Sequence, residues 1–236
     1  MSTTKSVKRS YNSSRRRAAA QLTRQAIAQA ALQLFNERGF WGASIDAIAA
    51  AAAVAPETIY ATFGNKREIL HYLFNTAVGG DEAPVRLIDR PEQQAMLQET
   101  DLHRLVERFA NMVYTILSRA APVFAILAEA AKTEPELAAL QKRMWAERLD
   151  NMRRIARSMA RLTRLRVTEA QAAEILWALS SAELFTLLTG VRQWTRAQYA
   201  AWLQDSLARL LFEDAPAGSA PGGPAGRDIT EDNPPK

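Results

Sequence analysis

The stretch Ser44-Ile45-Asp46-Ala47-Ile48-Ala49-Ala50-Ala51-Ala52-Ala53-Val54-Ala55-Pro56-Glu57-Thr58-Ile59-Tyr60-Ala61-Thr62-Phe63-Gly64-Asn65-Lys66-Arg67-Glu68-Ile69-Leu70 decides how the chain is read. Ser44 is placed to cap a helix by accepting a backbone N–H bond. Asp46 puts negative charge against the positive end of that helix's dipole, and the alanine run carries the helix on. Pro56 opens a second helix: its missing N–H would have no partner at the first helical position, and it biases Ala55 away from helix. A break between Ala52 and Pro56 follows, so the order is helix, turn, helix.

The second helix, residues 56–63, is about two turns long. Ile59 and Phe63 share one face, four residues apart, while Glu57, Thr58, Tyr60 and Ala61 lie elsewhere. So little apolar surface does not make a core helix. What remains is small or hydroxyl-bearing, which suits a helix laid against a nucleic-acid duplex: slim side chains for groove entry and O–H donors for phosphate oxygens. Lys66 follows at the head of the next helix, where its ammonium and the free backbone N–H groups together make an anion site.

Residues 54–66, Val-Ala-Pro-Glu-Thr-Ile-Tyr-Ala-Thr-Phe-Gly-Asn-Lys, resemble the recognition segment of the TetR family of one-component bacterial transcriptional regulators. Residues 30–45, Ala-Ala-Leu-Gln-Leu-Phe-Asn-Glu-Arg-Gly-Phe-Trp-Gly-Ala-Ser-Ile, are similar to that family's first helix and aromatic, glycine-containing turn. Two positions depart from the family pattern: Ala53 stands where glycine is common, and Ala55 where a serine often contacts phosphate.

The resemblance implies a homodimer in which each subunit inserts residues 56–63 into a major groove of a palindromic double-stranded DNA operator. The expected DNA-contacting set is Ser44, Ala55, Pro56, Glu57, Thr58, Tyr60, Ala61 and Lys66. Ser44, Thr58, Tyr60 and Lys66 serve the backbone, and Glu57 and Ala61 face base edges. A repressor released by a small effector is the function implied.

Charge is unevenly placed. Residues 1–80 carry ten Lys and Arg against four Asp and Glu, residues 81–212 carry eighteen against sixteen, and the tail is acidic. The positive excess therefore falls on the segment with the DNA-reading motif, as a phosphate-binding surface requires. There are no cysteines, so neither a disulfide framework nor a thiolate metal site is expected. The N-terminus is basic and polar with no apolar segment, unlike a signal peptide, and the expected location is the bacterial cytoplasm, nucleoid-associated when bound to DNA.

The expected organisation is a disordered basic arm (1–19), a helix-turn-helix head (20–80), a helical ligand-binding and dimerisation domain (81–212) and a disordered acidic tail (213–236). The arm reads equally well as a DNA-contacting extension and as a solubilising tail. Ile27, Ala30, Ala31, Leu34 and Phe35 give the first head helix, ended by Gly39, with Phe40 and Trp41 packed into the helix junctions. The fourth helix starts at Lys66 and ends at Gly79-Gly80, and residues 81–100 read as a connector with one short helix.

Asp101 caps a strongly amphipathic helix, Pro122 starts another, and Thr133 with Glu136 makes a capping box for a long arginine-rich one. No strand pattern appears, so the class is all-α, with about nine helices: a three-helix head plus a C-terminal bundle.

Thr168 with Gln171 caps a helix to Leu188 that is apolar on nearly every side, and Thr195 with Gln198 caps the last one. Burial against something beyond its own domain is implied, and Glu174 and Glu183 interrupt the first too soon for a membrane span. The expected dimer face is therefore Ile175, Leu176, Leu179, Leu184, Leu187, Leu188, Trp202, Leu203, Leu207 and Leu210 on these last two long helices.

No P-loop, dinucleotide fingerprint, nucleophile elbow or pair of metal-binding histidines is present, so no catalytic residue, cofactor or metal is expected. Phe109, Met112, Val113, Ile116, Phe124, Leu127, Trp145, Leu149 and Met152 are the candidates to line a cavity for a small, apolar effector, although for any one of them ordinary core packing is the favoured reading. Two other readings stay open: an all-α protein-binding or scaffolding module whose head contacts protein, and, with nothing to motivate it, a helical enzyme.

Overall fold

The computed structural model describes residues 8–83 and 85–213, with side chains from residue 15 onward. They form ten α-helices and no strand, and an isolated antiparallel bridge joins Leu165 to Phe212. The head comprises α1 (Lys8–Gly42), α2 (Ile45–Ala51), α3 (Pro56–Phe63) and α4 (Lys66–Gly79). A single 3-10 turn (Leu87–Asp89) and α5 (Pro91–Leu97) form the connector. The body is α6 (Leu102–Ala130), α7 (Pro135–Ala160), α8 (Glu169–Leu179), α9 (Ala182–Phe185) running into a π-helical segment (Thr186–Val191), and α10 (Arg196–Leu211).

Several boundaries differ from the sequence expectation. The basic segment expected to be disordered through residue 19 is helical from Lys8, as an extension of α1. Residues 1–7 of that arm, and the tail beyond Glu213, lie outside the described residues. Pro122 does not start a helix but sits inside α6. Its ring removes only one helical N–H, and buried residues on both sides of it hold the helix together. Thr133 does not cap α7: Glu134 precedes the helix without a side-chain cap and Pro135 occupies its first turn. The helix expected over 168–188 breaks at Ser180 and Ser181, each of which bonds locally, Ser180 Oγ donating back to the Leu176 carbonyl and Ser181 Oγ accepting from Leu184 N–H.

Two apolar cores hold the molecule. The head core gathers Ile27, Phe35, Ile48, Ile59, Ile69 and Leu70, and it also takes in Val123, Ile126, Leu127 and Ala130 from the second half of α6 and Leu137 and Met144 from α7. The body core gathers Leu105, Phe109, Ile155, Met159, Leu176, Tyr199, Leu203 and Leu207. Each fully buried large aliphatic side chain contributes roughly 1.5–3 kcal/mol. Helix α6 is long and apolar enough to cross a membrane, but its apolar positions serve these two cores in turn.

Candidate nucleic-acid interface and cavity

Helix α2 begins as its sequence requires: Ser44 Oγ accepts from Ala47 N–H at 3.1 Å, with Asp46 in the first turn. The hydroxyl keeps its own proton as a donor for an external oxygen. The turn to α3 closes through Val54 N–H to the Ala49 carbonyl (3.0 Å) and places Ala53 at φ 54°, the left-handed region that glycine favours. Ala55 is extended, and Pro56 starts α3.

Ile59 and Phe63 of α3 are buried, while Ala55, Glu57, Tyr60 and Ala61 are exposed and Pro56 and Thr58 half-buried. Tyr60 is 55% exposed. At the end of α3, Gly64 adopts φ 78° and Asn65 caps α4 by accepting from Glu68 N–H.

Two features of this site escaped the sequence reading. Arg24 of α1 donates to the Thr62 carbonyl (3.0 Å) and lies over the rings of Phe63 and Tyr72, pinning the end of α3 from behind. A cation twenty residues before Ser44 gives no local signal of this. Lys66 is the second, and here the expectation is corrected. Its ammonium turns inward, donating to the carbonyls of Phe40 (2.6 Å) and Ala43 (3.1 Å) and lying 4.4 Å from the Phe40 ring centre. Burial lowers its pKa, opposed by the Glu134 carboxylate. Lys66 thus ties together the turn between α1 and α2, whose backbone carbonyls are the nearest acceptors.

Phe40 is buried as expected, but Trp41 is 57% exposed. Its indole N–H donates to Thr133 Oγ1 (2.9 Å), bridging the head to the turn between α6 and α7. Arg67 crosses the same seam to Glu134 (3.3 Å) and Glu136 (3.0 Å).

Residues 27–73 match the model of the bacterial regulatory proteins, tetR family. That segment, within α1 to α4, is a TetR-type helix-turn-helix head. Solved structures extend the likeness beyond the head. SmeT in its triclosan complex is 22% identical, with a TM-score of 0.63 over 85% of this chain and 95% of that one. NalD of Pseudomonas aeruginosa, the secondary repressor of the MexAB-OprM multidrug efflux pump, is 26% identical, with a TM-score of 0.62 over 81% and 97%. A Saccharomonospora viridis protein in complex with choline is 18% identical, with a TM-score of 0.61 over 80% and 97%. No curated protein matches the chain. Both the matched model and NalD are of bacterial regulators.

A cavity of about 600 Å³ lies in the body where the two cores meet. It is walled by α4, the connector, α6, α7 and Ser180. Met112, Val113, Ile116, Phe124, Trp145 and Met152 stand on its wall. Phe109, Leu127 and Leu149 do not: Phe109 and Leu127 are buried in the cores and Leu149 packs against the body core. Sequence periodicity marks the inward face of a helix but cannot separate core from cavity wall along it.

The wall is also more polar than expected. Asp81 and Arg90 form a two-pronged ion pair (2.7 and 2.8 Å) that holds the end of α4 to the start of α5, and Arg90 keeps the Asp81 carboxyl down at about 2. Tyr72 is pushed up to about 12 by burial and by its bond to Glu82. Arg148 of α7 donates to the Trp177 carbonyl and to Ser180 Oγ (2.8 Å), and its guanidinium lies 5.1 Å from the Trp177 ring centre. Among the described residues no carboxylate lies within 4 Å of it, and burial pulls its pKa down to about 10.

The expected dimer face is divided. Leu176, Leu203 and Leu207 are fully buried in their own subunit, so they are corrected from interface to core. Ile175, Leu179, Leu184, Leu188 and Trp202 are half-buried, and Leu187 and Leu210 are exposed, joined by Val191 at 70% exposure.

Proposed function

We propose that this chain is a homodimeric, ligand-responsive TetR-family repressor of a palindromic operator, acting in the bacterial cytoplasm. The observation that carries the reading is α3: two buried anchors, Ile59 and Phe63, hold it against the head while Glu57, Tyr60 and Ala61 face outward. Two such helices with centres about 34–36 Å apart, or a multiple of that, meet successive major grooves. Ser44, Thr58 and Tyr60 supply hydroxyl donors to phosphates, and Ala55, Pro56, Glu57 and Ala61 form the surface that enters the groove.

The dimer forms across α9, the π-helical segment and α10, where Leu187, Val191 and Leu210 leave apolar surface uncovered. Ligand control is supported by the position of the cavity between the two cores, since α4 belongs to the head and also walls the cavity. A ligand that fits one arrangement of α4 better than another shifts the population of heads able to span two half-sites. Titration of the full-length protein onto the DNA flanking its own gene should give a salt-sensitive gel shift and a two-fold symmetric footprint. Failure to retard that DNA at low salt, with a folded protein, would sink the reading.

A further inference from the structure

The geometry points to an effector with an apolar body and a single anionic group, a carboxylate or its equivalent, whose charge is met by Arg148. The inference rests on the reading of the cavity as an effector site and specifies the chemistry of its occupant. The wall supplies the apolar contacts through Met112, Ile116, Phe124 and Met152.

The cations on that wall are not equivalent. Arg90 is matched by Asp81 at 2.7 Å, Arg86 by Asp89 at 3.1 Å, and Arg154 reaches the same Asp89 at 3.7 Å. Arg24 is engaged by the Thr62 carbonyl and two rings. Arg148 uses one amino group on two neutral oxygens and has no carboxylate within 4 Å. A guanidinium carries five N–H donors; with Nη2 engaged, the Nε–H and the two Nη1–H donors remain for a charge-assisted bond to an anion.

The acids on the wall do not supply that partner. Asp81 is taken by Arg90, Asp150 by Arg153 (2.6 Å), and Glu82 accepts from Gln25 (2.8 Å). Glu147 is exposed, where water screens its charge. The carboxylate that opposes the burial of Arg148 is Glu183, exposed and beyond ion-pair distance; a cation withdrawn from water with so little to offset its charge is a costly feature to build, and an anionic ligand relieves it. The planar guanidinium is already oriented by Trp177 and Ser180, so little ordering remains to be done on binding.

The test uses full-length protein and three probes of equal chain length: decanoate, 1-decanol and decyltrimethylammonium. Binding is followed by tryptophan fluorescence, since Trp145 lines the cavity and Trp177 stacks on Arg148. Decanoate is expected to bind at least tenfold tighter than decanol, and the cation more weakly than either. Arg148→Met is expected to reduce decanoate to the affinity of decanol and leave decanol unchanged, whereas Arg148→Lys retains most of the preference. Equal or tighter binding of decanol by the unaltered protein, or a tenfold preference surviving in Arg148→Met, overturns the inference. Binding of decanol or the cation without decanoate overturns it while leaving the effector-site reading intact, and binding of none of the three counts against both. The comparison among probes needs no variant, so a misfolded Arg148→Met does not blunt it.

Discussion

Lys66 shows how one side chain changes meaning between sequence and structure. By position it is an anion donor at a helix start; by contact it ties the Phe40 and Ala43 carbonyls and covers an aromatic ring. Lys66→Ala should therefore destabilise the head by about 2 kcal/mol, because two carbonyls lose a charged donor. The check is a thermal melt followed by circular dichroism, alongside the salt dependence of operator affinity. An unchanged melt with a salt slope lowered by about one would return the ammonium to the phosphates. Tyr60 is the reverse case, exposed and without a hydrogen-bond partner among the described residues. Tyr60→Phe should leave the melting temperature alone and weaken operator binding about fivefold, the worth of one hydrogen bond. Retained affinity would remove the hydroxyl from the contact set.

At the scale of elements, the helix-turn-helix was legible because capping and proline chemistry are local. Ser44, Asp46 and Pro56 act within one turn, and the observed ends of α2 and α3 fall where these residues put them. The same locality explains the misses. Pro122 sits within α6 because packing on both sides of it outweighs one absent N–H, and Thr133 gives up its capping role for a bond from Trp41 ninety-two residues earlier in the chain. Neither partner is visible in the neighbourhood of the residue. Of the cavity, the inward helix faces were legible from periodicity, but not which of their positions reach the wall, nor the arginines, since their partners come from other helices.

The turn between α2 and α3 carries its own prediction. Alanine at φ 54° costs about 1–2 kcal/mol, partly offset by the greater chain entropy glycine loses on folding. Ala53→Gly should thus stabilise the head by roughly 0.5–1 kcal/mol, seen as a rise of about 2 °C in melting temperature. A fall would mean the methyl group makes a contact that outweighs the strain. The clamp between α4 and α5 predicts a pH dependence. The Asp81 carboxyl lies at about 2 in the folded protein against an ordinary 3.8. Its contribution is therefore complete above about pH 4 and disappears as pH falls through 2. Asp81→Asn should be less stable than the unaltered protein in urea at pH 7, with the gap narrowing steadily below pH 4; a gap independent of pH would assign the effect to something other than charge.

For the whole molecule, the uncovered apolar side chains of the last helices predict that Leu187→Arg sediments as a monomer with an unchanged far-ultraviolet spectrum. A dimer surviving that change would move the contact elsewhere. The head core has a further consequence, because Val123, Ile126, Leu127 and Ala130 of α6 close it from the far side. A fragment ending at Gly80 lacks that lid and should melt without a cooperative transition. Exchanging operator preference between relatives by grafting at residue 80 would therefore leave each transplanted reader sitting on a foreign floor. A workable chimera has to carry the stretch from residue 123 to 144 along with the first four helices, or restrict itself to the outward positions of α3.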